Sequence, residues 1–453
     1  MTRLFGTDGV RGLANRDISA TLALELGQAA ARYTIAHLDR PLDTEHKPKA
    51  IIGRDTRVSG EFLSHAIAAG LASAGMDVIR IGVVPTPAVA FLMASGEYDL
   101  GVMISASHNP MPDNGIKFFA RGGYKLEDAV EDKIQELLET QSEWQAPVGE
   151  DVGEILSEHT SADRKYIKHL VEACGPSLRG LRIAVDCANG AASFIGPEAL
   201  RQAGADVVVM NASPDGRNIN DDCGSTHPEQ LQAVTVASKA DFGVAFDGDA
   251  DRCLAVDHEG NLIDGDKIMG MLAVGMRDEG SLTDDTLVVT VMSNLGLLLA
   301  MRERGINVVQ TAVGDRYVLE NMLANGYQLG GEQSGHVINA KHATTGDGIL
   351  TALMIAREVR RSGRSLADLT AFIQRLPQTL INVPGVDKSR TDDPEVVKAV
   401  ETAEAFLGDS GRVLLRPSGT EPLVRVMVEA ATQTEADAAA SRLADVVAKR
   451  LAL

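Results

Sequence analysis

The chain has 453 residues, 44% of them apolar and 23% charged, with a formal charge of −20. It is too long for a single hydrophobic core, so several domains are expected, and the composition is that of an ordinary globular protein. The negative charge argues against nucleic acid or an anionic membrane as partner, and any anionic substrate must be held by a local cluster of Arg and Lys.

From the amino terminus, Met1 to Gly9 lacks the apolar core of a signal peptide, and no later run is long enough to span a membrane, so a cytoplasmic protein is expected. Cys174, Cys187, Cys223 and Cys253 show no CxxC pairing and imply no disulfide framework. Gly6-Thr-Asp-Gly-Val-Arg-Gly12 reads as a glycine-rich loop carrying Arg11, and residues 39–49 read as a polar surface loop. Ala50-Ile-Ile-Gly53 then opens a unit of strand, helix and strand that recurs three times. Its first strands are residues 50–53, Ile183-Ala-Val-Asp186 and Leu287-Val-Val-Thr-Val291. Each is followed by a helical spacing of Ala and Leu, a Gly, and a second strand beginning near Asp77, Asp206 and Asn307. Third strands follow at 100–104, at Phe242-Gly-Val-Ala-Phe246 and, more weakly, around Tyr327-Gln-Leu329. Three α/β units of about 100 to 150 residues are the economical reading.

The loops after those third strands hold the polar motifs. The first, Ser105-Ala-Ser-His-Asn-Pro110 followed by Asp113-Asn-Gly-Ile-Lys117, gathers a hydroxyl, an imidazole and an ammonium where a strand ends. A turn pair with a capping Ser fits the same residues, and the segment alone does not decide. The second loop carries Asp247, Asp249 and Asp251 in alternation. On an extended segment they share one face, and three converging carboxylates suit a hard divalent cation such as Mg²⁺. A calcium loop of the EF-hand type fails, because its sixth position is Arg252 and its twelfth is His258. A phosphatase with an Asp nucleophile stays open. The third loop alternates Glu332, Ser334 and His336 in a Gly-rich stretch, suited to sugar hydroxyls or simply to a capped turn.

The loop Gly53 to Gly60 adds Arg54 and Arg57, which with Arg11 could offset a phosphorylated Ser107 or merely tie turns together. From about Pro377 the pattern changes to a small α+β domain: a helix from Pro394 to Leu407, strands near 413–415 and 424–428, and an Ala-rich helix from Thr434. Within it Arg416-Pro-Ser-Gly-Thr420, with Arg425 close behind, has the chemistry of a phosphate clamp or of a surface turn. No P-loop is present, and no Gly-x-Gly-x-x-Gly follows a strand, which disfavours a nucleotide enzyme.

Ser105–Pro110, Asp247–Arg252, Gly330–His336 and Arg416–Arg425 stand in the order of the four signature loops of the α-D-phosphohexomutases, and the chain resembles that superfamily over essentially its whole length. The segments 5–12, 104–110, 218–227 and 313–317 are similar to the branch acting on glucosamine phosphates rather than on mannose or glucose phosphates. Met111-Pro112, where many relatives carry an aromatic residue, is a small departure. The resemblance implies an α/β fold of three similar α/β/α domains with mixed sheets, plus a smaller C-terminal α+β domain, around a central cleft. The domains expected are 1–155, 156–256, 257–372 and 373–453.

It further implies a phosphoserine at Ser107, and Mg²⁺ on Asp247, Asp249, Asp251 and a phosphoserine oxygen. Substrate contacts are implied at Arg252, Glu332, Ser334 and His336, with Glu332 and Ser334 on the sugar, and phosphate contacts at Arg416, Ser418, Gly419, Thr420 and Arg425. His108 and Lys117 are the implied acid and base candidates, with Arg11 as an electrostatic aid. The implied reaction interconverts glucosamine 6-phosphate and glucosamine 1-phosphate through the 1,6-bisphosphate, supplying UDP-N-acetylglucosamine synthesis; the alternatives are a phosphomannomutase or phosphoglucomutase with the same mechanism, or a non-catalytic sugar-phosphate-binding protein. A sugar 1,6-bisphosphate would serve as activator. A sugar phosphate would be the small-molecule partner, with no nucleic acid or membrane. Relatives are often dimers, so a homodimer is allowed.

Overall fold

The computed structural model describes residues 3–6, 8–38, 47–140, 144–158, 160–418 and 423–453. Among the described residues four sheets follow one another along the chain, three of them mixed and the last wholly antiparallel. The first comprises β1 (Val10–Leu13), β2 (Lys49–Arg54), β3 (Asp77–Val83), β4 (Leu100–Ile104), β5 (Asp113–Ala120) and β6 (Ile155–Ser157), in the order β1-β5-β4-β2-β3-β6. Around it run α1 (Ala20–Ala36), α2 (Val58–Ser73), α3 (Thr86–Ala94) and α4 (Asp128–Glu139). β2 and β4 carry near-continuous apolar residues because both faces are covered, as a parallel pair with helical crossovers requires. The 39–49 stretch is only partly described, and Lys49 already opens β2.

The second sheet is built the same way. α5 (Thr160–Cys174) leads into β7 (Arg182–Asp186), α6 (Ala192–Gln202), β8 (Asp206–Met210), α7 (Glu229–Ala237), β9 (Phe242–Phe246), β10 (Cys253–Asp257) and β11 (Leu262–Ile263), with strand order β11-β10-β9-β7-β8. The third contains α8 (Gly265–Asp278), β12 (Thr286–Thr290), α9 (Leu295–Glu303), β13 (Asn307–Thr311), α10 (Asp315–Asn325), β14 (Leu329–Gly331), β15 (Val337–Asn339), α11 (Gly348–Ser362) and α12 (Leu366–Thr370), with strand order β13-β12-β14-β15. In each copy the first strand pairs in parallel with the second and third, and the third then pairs antiparallel with the strand that follows it. The three polar loops are therefore hairpin connections at the carboxyl ends of β4, β9 and β14.

The chain forms two compact units, Met1–Met292 with Ile306–Ala371, and Ser293–Gly305 with Phe372–Leu453. The second unit holds β16 (Gln378–Pro384), α13 (Pro394–Leu407), β17 (Arg412–Pro417), β18 (Leu423–Glu429) and α14 (Gln433–Arg450), an antiparallel sheet ordered β16-β18-β17 with an apolar core of Val424, Val426, Val428, Ala436 and Leu443. It also contains α9. Buried Glu429 accepts from the Leu295 backbone N–H and from Asn294 Nδ2, each at 3.0 Å, and so caps the amino-terminal end of that helix. By packing, the helix of the third repeat thus goes with the C-terminal sheet.

Candidate active site

Ser107 lies just past β4, buried, with φ of +52° in the left-handed region. Its Oγ donates to Asp247 Oδ2 at 2.5 Å, and His108 Nδ1 lies 3.2 Å from the same oxygen. Below the loop, the Ser107 N–H donates to Ser105 Oγ at 2.9 Å, and Ser105 Oγ donates to Asp55 Oδ2 at 2.6 Å. Asp55 is paired with Arg57, both fully buried.

The three aspartates converge, but not as an extended strand would bring them together. Residues 247–251 form a turn in which the Ala250 N–H donates to Asp247 O at 3.1 Å and Ala250 takes φ of +55°. Their ligand oxygens all lie within 4.8 Å of one another, and all three residues are buried. Asp249 Oδ2 accepts from Thr86 Oγ1 at 2.6 Å and from Lys117 Nζ at 2.9 Å, while Asp249 Oδ1 and Asp251 Oδ1 are buried without a hydrogen-bond partner. Burial and the charges of Asp251 and Asp249 push the Asp247 pKa well above the usual carboxylate range. Burial works to raise that of Asp251 as well, but the close approach and charge of His336, with Lys117 and Arg252, hold it well below. Orphaned buried oxygens and a carboxyl forced toward protonation describe a cluster that could coordinate a divalent metal such as Mg²⁺.

Lys117 comes from β5, opposite Met103 of β4. It is buried 3.0 Å from Asp8 and 2.9 Å from Asp249. Burial lowers its pKa, yet Asp249, Asp8 and Asp251 outweigh burial and raise it, so it is an ammonium. Arg11, on β1, pairs with Asp8, and its Nε has no partner. Burial, with the cations Arg252 and Arg11, pushes the His108 pKa down to about 4, leaving a neutral imidazole. Arg252 contributes its backbone N–H to Asp247 Oδ1 at 3.3 Å.

Glu332, Ser334 and His336 sit on a turn, as one of the two readings of this loop had it: the Gly335 N–H donates to Glu332 O at 3.0 Å, and the Glu332 N–H to His336 O at 2.9 Å. Glu332 Oε1 accepts from the Gly314 N–H at 3.2 Å, and Ser334 Oγ is buried without a partner. His336 Nδ1 faces Asp251 at 3.7 Å, and Nε2 accepts from the Gly346 N–H at 3.1 Å, which puts the ring proton of the neutral form on Nδ1. Burial lowers the His336 pKa, but Asp251 and Asp315 outweigh it and raise it. The first unit thus brings together Arg11, Ser107, His108, Lys117, the aspartate trio, Arg252 and His336.

In the second unit, Arg416 and Arg425 stand opposite each other on β17 and β18, and Ser418 O accepts from Lys388 Nζ at 2.7 Å. Gly419 and Thr420 lie outside the described residues. Several site neighbours escaped sequence reasoning: Asp8, Thr86, Lys125, Asp315 and Lys388. Lys125 bridges Asp8 at 2.6 Å and Asp315 at 2.7 Å. Thr86 had a usable signal, standing between Pro85 and Pro87 just past a strand.

Models of the phosphoglucomutase/phosphomannomutase family match the chain as alpha/beta/alpha domain I over residues 2–145, domain II over 164–260, domain III over 264–376 and the C-terminal domain over 380–446. A solved phosphoglucomutase/phosphomannomutase family protein from Burkholderia thailandensis superposes with a TM-score of 0.80 at 24% identity, covering 99% of this chain and 97% of that one. The N-acetylphosphoglucosamine mutase of Aspergillus fumigatus, solved with GlcNAc-6P and magnesium, gives 0.71 at 20% identity, covering 98% and 95%. These two likenesses speak for the fold alone. The domain models define the class as α-D-phosphohexomutase. A phosphoglucosamine mutase from Bifidobacterium animalis subsp. lactis is 61% identical over 459 residues, covering the whole of both chains. The chain belongs to the phosphoglucosamine mutase family. It is an isomerase of the intramolecular phosphotransferase kind.

Proposed function

We propose that the protein interconverts glucosamine 6-phosphate and glucosamine 1-phosphate through a phosphoryl group carried on Ser107 Oγ. The observation that carries the reading is that Oγ: on a left-handed turn, 2.5 Å from Asp247 and within reach of His108. The amino-sugar substrate is supported by the relative at 61% identity, named a phosphoglucosamine mutase.

In the first half-reaction the bond between phosphorus and Ser107 Oγ breaks as the bond to O1 of glucosamine 6-phosphate forms. The C1 hydroxyl loses a proton and Oγ gains one. His108, neutral and 3.2 Å from Oγ, is our candidate to pass it. The bisphosphate then turns end for end. The bond from its 6-phosphoryl group to O6 breaks, Ser107 is esterified again, and glucosamine 1-phosphate leaves.

Such a transfer depends mainly on positioning and charge neutralisation. Lys117, an ammonium between Asp8 and Asp249, supplies fixed positive charge, and Arg11 adds to it. Asp247, Asp249 and Asp251, with a phosphoserine oxygen, would hold Mg²⁺, which when bound supplies Lewis-acid stabilisation of the transferring group. Glu332 and Ser334 are assigned to sugar hydroxyls, and Arg416, Ser418 and Arg425, with Gly419 and Thr420, to the phosphate that is not transferred.

The reading is tested by kcat/KM on glucosamine, glucose and mannose phosphates, with Mg²⁺ and a trace of sugar bisphosphate, for wild type and Ser107→Ala. Preference for the amino sugar and loss of turnover in the variant are expected. Near-normal turnover by S107A would overturn the mechanism, and preference for glucose or mannose would overturn the substrate.

A further inference from the structure

We propose that Asn220, together with Arg57, is a positioning residue that clamps the Ser107 loop from two different α/β domains. The inference rests on Ser107 as the phosphoryl carrier. Two backbone carbonyls, those of Ser107 and Asn109, each receive two donors. Arg57 Nη2 donates to Ser107 O at 3.2 Å and to Asn109 O at 2.6 Å. Asn220 Nδ2 donates to the same oxygens at 2.9 and 3.1 Å.

Both clamping groups are themselves fixed. Arg57 is fully buried against Asp55, whose Oδ1 also accepts the Arg57 N–H at 2.9 Å. Asn220 belongs to the segment 218–227, has φ of +58°, and donates its own N–H to Ala188 O at 3.0 Å. From a third direction, a Cβ added at Gly248 would come 2.6 Å from Ser107 O, so the metal loop packs directly on the clamped carbonyl.

The chemistry explains why such a clamp is needed. Ser107 is a non-glycine residue held at positive φ, which its Cβ disfavours. During a turnover Oγ exchanges its partners twice, being esterified, free and esterified again. Nothing bonded to Oγ can therefore hold the backbone throughout the cycle. The carbonyl clamp can, because its bonds go to backbone oxygens rather than to Oγ. Relaxation of Ser107 toward negative φ would swing Oγ away from Asp247 and, when esterified, expose its phosphoryl group to water.

The test uses Asn220→Ala and the isosteric Asn220→Asp, which keeps the shape but when ionised cannot donate, assayed at a pH where the carboxylate is charged. Thr56→Val is the control: it removes a different bond between the same two domains, from Thr56 Oγ1 to Asn189 O at 2.6 Å. Both Asn220 variants are expected to lose about 10- to 100-fold in kcat, with KM for the sugar phosphate within about twofold of wild type. They should also release phosphate from the phosphoenzyme several-fold faster in the absence of sugar, by intact mass, and exchange amide hydrogens faster across residues 105–110. T56V should do neither.

Wild-type kcat and phosphoenzyme lifetime in N220D would overturn the proposal, as would an equal effect of T56V. A wild-type protein that never carries phosphate on Ser107 would instead overturn the proposed function, and the exchange comparison alone would then decide the clamp.

Discussion

At the scale of single residues, the site is governed by how buried charges are neutralised. Lys117 is a buried counter-ion shared by three carboxylates, lying 3.0 Å from Asp8, 2.9 Å from Asp249 and 4.0 Å from Asp251. Removing one partner of a buried pair costs about 3–5 kcal/mol because the other charge is left uncompensated. Lys117→Met should therefore be destabilised by about that much without metal. Mg²⁺ would take over the neutralisation, so the rise in Tm on adding Mg²⁺ should be larger in the variant than in wild type. Equal increments would show that Lys117 and the metal do not share a charge balance. The sequence made the residue types of this site legible: Ser107, the aspartates and Lys117 all stand in short motifs at strand ends. It could not show Asp8 and Lys125 meeting across 117 residues, because such a pair leaves no local pattern.

At the scale of elements, α11 shows how a helix end is tied into the first unit. Its N-cap Asp347 is buried, accepts the Leu350 N–H at 2.8 Å, and accepts from Tyr166 Oη of α5 at 2.7 Å. Burial raises its pKa from 3.8 to about 6, against those hydrogen bonds. A raised folded-state pKa contributes stability at low pH, and that contribution is lost as the pH rises through about 6. The rise corresponds to about 3 kcal/mol. Asn at this position keeps Oδ1 as the acceptor for the Leu350 N–H, sets an Nδ2 donor against Tyr166 Oη, which can accept in its turn, and never ionises. Asp347→Asn should accordingly gain on wild type in urea unfolding as the pH goes from 5 to 7.5, and parallel pH profiles would contradict the assignment.

The strands that open and close each repeat were readable from β-branched runs after Gly. The antiparallel partners β5, β10 and β15 were not, because their hairpins are filled with the polar residues that make the site. For the same reason the alternating Asp motif read as an extended segment. Its convergence comes instead from a turn with Ala250 left-handed, while Glu332, Ser334 and His336, for which a turn was one of the two readings, sit on a turn closed by the bond from the Gly335 N–H to Glu332 O.

At the scale of the whole molecule, repetition of one α/β unit puts three polar hairpins at equivalent strand ends, and the chain then adds an antiparallel sheet of different design. The repeat and the change of character near Pro377 were legible from periodicity. The membership of α9 in the second unit was not, because it depends on Glu429 reaching back to Leu295 and Asn294 across more than a hundred residues. No helix among the described residues is long and apolar enough to cross a membrane. The central claim, that Ser107 carries the phosphoryl group between sugar positions, is tested most directly by a single-turnover chase. Enzyme labelled with radioactive phosphate on Ser107 is mixed with unlabelled glucosamine 6-phosphate and Mg²⁺. The account predicts that label leaves the protein for O1 of the sugar, first as bisphosphate and then as glucosamine 1-phosphate, while unlabelled phosphate replaces it on Ser107. Label that stays on the protein through turnover, or appears only as inorganic phosphate, would contradict it.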